Sequence, residues 1–394
     1  MRKFICIFIP IFVLIFMPIF LNVYISNEID KMVAEKNISE IDIEYGSIYK
    51  DKGVKYNEYL TENEYVILQG SSELGTQVTQ LPTKFFPIEG LDKFATNGRA
   101  YSQHLHQSSI IGSLGNSDKK RNVALILSLQ WFMNENGIDN NGFQANFSPV
   151  QFYNLLKNEN ISEVHRKKYA ERTVSLLTGS TQFIPERIYA NLYVNDGLKF
   201  YIEKIIFKPY FYAREYMVKL KDKGLLYKKL RTLPEKTQSE GLRTVNWDEE
   251  KSKAQKEAES QVSNNDFYIF DEYYDKNIKP YLERQKDSNK SIDLMKSKEF
   301  DDYSLYLDIC TDLGIKPYII LMPTNGLWYD YTGMTKENRD EFYDKVQAMA
   351  EERGFEVLNL KNEEYTPYFM TDVMHLGTKG WLKVDDELYK HFEK

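Results

Sequence analysis

Cysteine is nearly absent from this chain: Cys6 and Cys310 are the only two among 394 residues. Cys6 lies inside a long apolar run near the N-terminus, and Cys310 lies far along the more polar remainder. If that run crosses a membrane the two fall on opposite sides of it, so no intramolecular disulfide is expected. Internal repeats and low-complexity tracts are also missing, which argues against a solenoid or a disordered chain. An excess of positive charge is lacking too. Lys and Arg number 51 against 58 Asp and Glu, a formal net charge of −7, and wholesale nucleic-acid binding is not expected. Metal-ligand clusters are sparse. His104 and His106 stand two apart, but nothing nearby completes a coordination set; they read as part of a solvated loop, and neither a metal nor another cofactor is expected. What remains is a chain with 42% hydrophobic residues, enough for a sizeable core.

The apolar run covers residues 4–25, with Asn22 its clearest polar exception. At ~1.5 Å per residue it spans a ~30 Å hydrocarbon core. Arg2 and Lys3 precede it while Glu28 and Asp30 follow, so the positive-inside bias puts the N-terminus in the cytoplasm and the rest outside. Pro10 and Pro18 are compatible with a membrane helix. The length of the run, and the lack of a small-x-small cleavage site after it, favour an anchor over a cleaved signal peptide. The expected organisation is a transmembrane anchor at residues 1–26, a juxtamembrane stalk at 27–62 and an extracellular domain at 63–394.

Within that domain, short apolar runs at residues 65–68, 123–127, 317–322 and 356–360 read as buried strands. Residues 336–353 have helical spacing through Phe342, Val346 and Met349. Strands alternating with helices predict an α/β domain with a mostly parallel sheet. Two strands precede residue 130 and at least two follow residue 315, so residues 149–313 are expected to be a helical insertion. Residues 234–265, rich in Lys, Glu, Gln and Ser, read as an exposed helix or loop.

Two separated motifs carry chemistry. Gly70-Ser71-Ser72-Glu73-Leu74 follows the first strand, and Asp372-Val373-Met374-His375 lies near the C-terminus. In open α/β sheets ligands bind outside the carboxyl ends of the strands, where a serine at a helix start can use backbone N–H groups to hold an oxyanion. Gly-Ser-Ser alone fits an ordinary helix cap as well. A carboxylate three residues before a histidine can fix its tautomer, and the order of nucleophile, acid and base suits a Ser-His-Asp enzyme. Gln130, closing the second strand, and Gly98, in Thr96-Asn97-Gly98-Arg99, are candidate oxyanion donors; a polar strand cap and a plain turn are their bland alternatives. Residues 199–231 hold ten Lys or Arg against three Asp or Glu, interleaved with aromatics. That mixture suits contact with anionic lipid or polyanionic polymer, with Lys219, Lys221 and Lys223 as the contacts, or a helix pair packing its aromatics into the core.

These motifs, with Ser128-Leu129-Gln130-Trp131-Phe132 and Thr371 to Gly377, resemble the DltD family of D-alanyl transfer proteins in lipoteichoic acid biosynthesis of Gram-positive bacteria. The resemblance extends over essentially the whole chain. It implies an SGNH-hydrolase-like (GDSL-like) three-layer fold, and it makes Ser72 the nucleophile in place of Ser71. Ser71 stands where SGNH proteins usually have Asp, Gln130 replaces their oxyanion Asn, and Leu129 departs from the proline expected in the family. It also implies D-alanine transfer onto lipoteichoic acid at the outer membrane surface, with a membrane-bound O-acyltransferase and other D-alanylation proteins as partners. From the residues alone, a surface esterase or thioesterase and a non-catalytic membrane-tethered adaptor remain open.

Overall fold

The computed structural model describes residues 2–115, 117–236 and 241–393, without the side chains of residues 2–12, 14 and 15. The expected anchor at residues 1–26 therefore falls largely outside the described side chains. Its backbone belongs to helix α1 (Arg2–Glu35). Among the described residues, no helix is long and apolar enough to cross a membrane.

Among the described residues five strands form one sheet: β1 (Val66–Gln69), β2 (Phe94–Asn97), β3 (Asn122–Leu127), β4 (Tyr318–Leu321) and β5 (Val357–Asn359). Their order is β2-β1-β3-β4-β5 and every pairing is parallel. Every residue of β1 to β4 is buried, because helices cover both faces, and β1, β3 and β4 are accordingly mostly apolar runs with little alternation. The helices of the domain that matter here are α2 (His104–Gly112), α3 (Pro149–Lys157), α4 (Glu163–Leu176), α5 (Ile184–Val194), α6 (Leu198–Leu230), α7 (Trp247–Gln261), α8 (Glu299–Asp312), α9 (Lys336–Glu351) and α10 (Thr378–Phe392).

On one face, Leu125, Leu127, Ile319 and Leu321 pack with Tyr306 and Ile309 of α8 and with Phe342 and Val346 of α9. On the other, Leu68, Ala124, Ile126 and Ile320 meet Trp381, Val384 and Leu388 of α10. The result is helix, sheet and helix in three layers. Local signals set the helix ends: Thr335 accepts the Asn338 N–H at the start of α9, and Phe342, Val346 and Ala350 recur at its buried stripe. Helix α7 forms in the polar stretch because Asn246 caps it and Ala254 and Ala258 give it a small apolar stripe.

Three sequence expectations change. Strand β2 has only Phe94 and Ala95 as apolar residues, too little for a recognisable run, yet it completes the sheet beside β1. Residues 27–62 are no free stalk: Ile29, Ile41, Tyr56 and Leu60 bury themselves with Ile67 of β1 and Ala95 of β2. Their apolar positions are scattered among charges, so the packing face was hidden. His104 and His106 are in a buried helix and not in a solvated loop. His104 Nδ1 pairs with Glu299 Oε1 at 2.8 Å, and His106 Nε2 lies 3.1 Å from the Phe143 carbonyl. Burial pulls both imidazoles down, to about 3 and about 4, so they are neutral packing groups. No cluster of three or more metal-ligating side chains occurs among the described residues.

Candidate active site

The order β2-β1-β3 puts a topological switch between β1 and β3, since the chain leaves β1 for one neighbour and later returns to the other side. Gln69 is in register with both Asn97 and Leu125, so the carboxyl ends of the three strands share one edge. Immediately past β1, Ser72–Gly75 make a single 3-10 turn. Ser71 sits before it, but no side chain caps the turn; the Ser71 hydroxyl donates instead to the Arg99 carbonyl at 3.2 Å. The two adjacent serines thus diverge. Ser72 Oγ lies 3.0 Å from His375 Nε2.

His375 arrives from the far side of the sheet on the loop between β5 and α10. The Thr371 N–H donates to the His375 carbonyl at 2.9 Å, which closes this loop on itself. Asp372 works twice. Its Oδ1 accepts the N–H groups of Met374 and His375, both at 2.7 Å, and its Oδ2 lies 2.8 Å from His375 Nδ1. A three-residue spacing allows both, because an Asx-type turn brings the imidazole back over its own carboxylate. With Nδ1 donating to Asp372, Nε2 is left as an acceptor for the Ser72 hydroxyl. Burial lowers the His375 pKa, but the hydrogen bond to Asp372 and the Asp372 and Glu73 charges outweigh it, for a net rise above the ordinary imidazole value.

Gln130 occupies the turn Leu129–Phe132 directly after β3. Its amide Nε2 is buried and faces the Tyr329 hydroxyl without making a hydrogen bond of good geometry to it. A buried donor left open is costly unless a ligand uses it. Gly98 does not offer its N–H to the site, because Asp51 Oδ1 accepts it at 2.9 Å. Its own role is steric: a Cβ there would come within 2.8 Å of the Gly70 carbonyl, so glycine lets the β2 loop approach the Ser72 turn. The lysines singled out in the basic stretch do not reach the site. Lys219 pairs with Glu215 at 2.8 Å, Lys223 donates to Asn22 Oδ1 and Ser26 Oγ of α1 at 2.9 Å each, and Lys221 lines a separate cleft with Tyr49 and Lys52.

The short motifs do not single out the residue beside Ser72. Glu73 is 1% exposed, and its Oε1 accepts the Ser71 N–H at 2.6 Å. Burial raises its carboxyl above the usual range, with its own backbone N–H, the His375 charge and the Ser71 N–H opposing. Its signal is a carboxylate directly after the two serines, where the end of a buried strand meets an expected helix start. Since the Glu73 charge helps to raise His375, Glu73→Gln is expected to lower the His375 pKa. For a reaction that uses His375 as its base, the acidic limb of the pH–activity profile is then expected at lower pH than in the parent. A profile whose acidic limb stays in place would rule out an influence of the Glu73 charge on the base.

Fold and site together define a class: a parallel α/β protein with a hydrogen-bonded Ser-His-Asp line at the carboxyl edge of its sheet. The sequence matches the family model described as DltD protein over residues 42–393. It is 31% identical over 340 residues to Protein DltD of Bacillus subtilis (strain 168), covering 85% of this chain and 84% of that protein. To Protein DltD of Staphylococcus aureus (strain NCTC 8325 / PS 47) it is 25% identical over 354 residues, 87% and 85% of the two chains. To Protein DltD of Lacticaseibacillus rhamnosus it is 26% identical over 355 residues, 86% and 79%. The chain belongs to the DltD family.

Proposed function

We propose that this protein transfers D-alanine onto lipoteichoic acid through a D-alanyl-serine ester, as a serine-dependent O-acyltransferase of SGNH type. The observation that carries the reading is the line from Ser72 Oγ through His375 to Asp372, at 3.0 and 2.8 Å, in a chain of the DltD family. In the first step His375 Nε2 takes the Ser72 proton as Oγ attacks the carbonyl of a D-alanyl ester or thioester. The oxyanion forms beside the Gln130 amide and the Ser72 backbone N–H, and it collapses as the leaving group departs with the proton from His375. A polymer hydroxyl then gives its proton to His375 as it attacks the serine ester, and the intermediate collapses as Ser72 Oγ leaves with that proton from His375, with D-alanine now esterified to the polymer. No step calls for a metal or an organic cofactor. The chain is anchored through residues 1–26 with its domain outside the cell, and a membrane-bound O-acyltransferase delivers the acyl group to it.

The test is the D-alanine ester content of lipoteichoic acid in cells carrying Ser72→Ala, with Ser71→Ala as the paired control and protein level checked. Loss confined to Ser72→Ala, together with a D-alanyl adduct on Ser72 in the intact protein by mass spectrometry, is the expected result. Normal content in both variants would sink the catalytic reading and leave a tethered adaptor; an adduct released only to water would favour an esterase.

A further inference from the structure

The two halves of α6 have different surroundings. From Phe211 onward the helix buries one apolar stripe, Phe211, Val218, Leu226 and Leu230, while Tyr212, Met217 and Leu225 stay exposed beside it. Before Phe211 the apolar residues are exposed on every side: Leu198 at 76%, Tyr201 at 63% and Ile206 at 66%, with Ile202, Ile205 and Tyr210 also exposed. Successive positions lie ~100° apart on a helix, so neighbours such as Ile205 and Ile206 cannot share one core-facing stripe. An apolar surface that encircles a helix belongs in a protein core or in lipid.

Helix α1 indicates which. The Tyr216 hydroxyl donates to the Pro18 carbonyl at 2.9 Å, Lys223 bonds Asn22 and Ser26, and the rings of Tyr227 and Tyr24 meet at 6.4 Å. Later residues of one helix meet later residues of the other, so the two run in the same direction. The exposed half of α6 and most of the apolar run at residues 4–25 both lie on the N-terminal side of these contacts. Charge adds a second constraint. Lys199, Lys204 and Lys208 stand among the apolar residues with Glu203 as the one carboxylate, too many charges for a hydrocarbon centre but suited to the headgroup zone. Between α5 and α6 lies a groove of about 260 Å³, walled by Tyr189, Tyr193 and Phe211 and rimmed by Lys157, Lys204 and Lys208. Lys157 pairs with Glu215, and Lys204 donates to the Asn195 carbonyl and has the exposed Asp196 carboxylate 3.8 Å away; Lys208 has only the Tyr212 ring, 5.8 Å away, as a described contact.

We propose that residues 198–212 of α6 lie in the interfacial zone of a bilayer, with Lys204 and Lys208 at the groove mouth holding the phosphate of an anionic glycerophospholipid headgroup. Tyrosines at both ends of the segment then take the aromatic-belt position, and the domain is held to the membrane at a second point besides α1. This is independent of the chemistry at Ser72.

The full chain carrying Cys6→Ser and Ile206→Cys, with buried Cys310 left in place, is nitroxide-labelled and reconstituted into phosphatidylcholine vesicles with or without phosphatidylglycerol. A label at Lys251→Cys on α7 serves as the exposed control. Expected is a rise in oxygen over nickel-chelate accessibility at 206 and none at 251. A label at 206 that behaves like the one at 251 would overturn lipid contact and assign the face to a protein partner. Adding Lys204→Glu and Lys208→Glu is expected to move the 206 label toward water only in vesicles with phosphatidylglycerol; an unchanged depth there would overturn the headgroup assignment. Circular dichroism of each variant checks that these exposed changes leave the fold intact.

Discussion

Asp372→Asn is expected to lower D-alanyl transfer by about 10⁴-fold, the scale on which losing the carboxylate disables a Ser-His-Asp site while its geometry survives. The asparagine Oδ1 can still accept the Met374 and His375 N–H groups that Asp372 now accepts at 2.7 Å, so the turn persists. The change falls on the other oxygen. An amide N–H₂ facing His375 Nδ1 makes that nitrogen the acceptor and puts the ring proton on Nε2, where it points at Ser72 Oγ and cannot accept the serine's proton. A second consequence follows for pH. The Asp372 hydrogen bond and charge are the main influences raising His375 against its burial, so without them the imidazole pKa falls. Whatever activity remains should show its acidic limb at lower pH. The rate of D-alanine ester formation in membranes carrying the variant, measured across pH, reads both effects. A near-native rate would remove Asp372 from the proton-transfer line, whereas Asp372→Ala, which also loses the turn, would not separate chemistry from loop collapse.

How far this site could be read from the sequence depended on how local its determinants are. Ser72 follows a four-residue apolar strand, and Asp372 reaches His375 across three residues, so both halves of the line were visible as short motifs. Gln130 was visible for the same reason, as the polar residue closing a buried strand. What escaped depends on contacts across long stretches of chain. Gly98 looked like a backbone donor because nothing near it suggested that Asp51, 47 residues earlier, takes its N–H. His104 looked solvated because its partner Glu299 is 195 residues away, and Lys223 looked like a surface charge because its acceptors, Asn22 and Ser26, lie about 200 residues before it. Periodicity reports burial against a face, but it does not say which distant polar group will meet a buried one. The aromatic-rich stretch illustrates the same limit: its second half buries one stripe through Phe211, Val218, Leu226 and Leu230, while its first half stays exposed.

Arg339→Ala is expected to destabilise the domain by about 3–5 kcal/mol, the usual consequence of removing one partner from a buried ion pair. Arg339 on α9 is fully buried. Its Nε donates to Glu364 Oε2 at 2.9 Å, Nη1 to Asp330 Oδ1 at 2.9 Å and Nη2 to the Tyr365 hydroxyl at 3.0 Å. Glu364 and Tyr365 begin the segment that carries Asp372 and His375 across the sheet edge, and the Glu364 carbonyl also accepts the Gly326 N–H at 2.7 Å. One guanidinium therefore ties the root of the loop that carries His375 to α9 and to the short helix Gly326–Tyr331 after β4. Alanine would leave the Glu364 carboxylate, 3% exposed, facing an empty volume with only Lys336, at 3.2 Å, to compensate it. Chemical denaturation measures the loss. Pairing Arg339→Met with Glu364→Leu should recover most of it, since no isolated charge remains. If the loop's attachment is also what holds His375 within reach of Ser72, the pair restores stability without restoring transfer. Recovery of both would mean that the loop keeps its place through its own closure at Thr371 and His375.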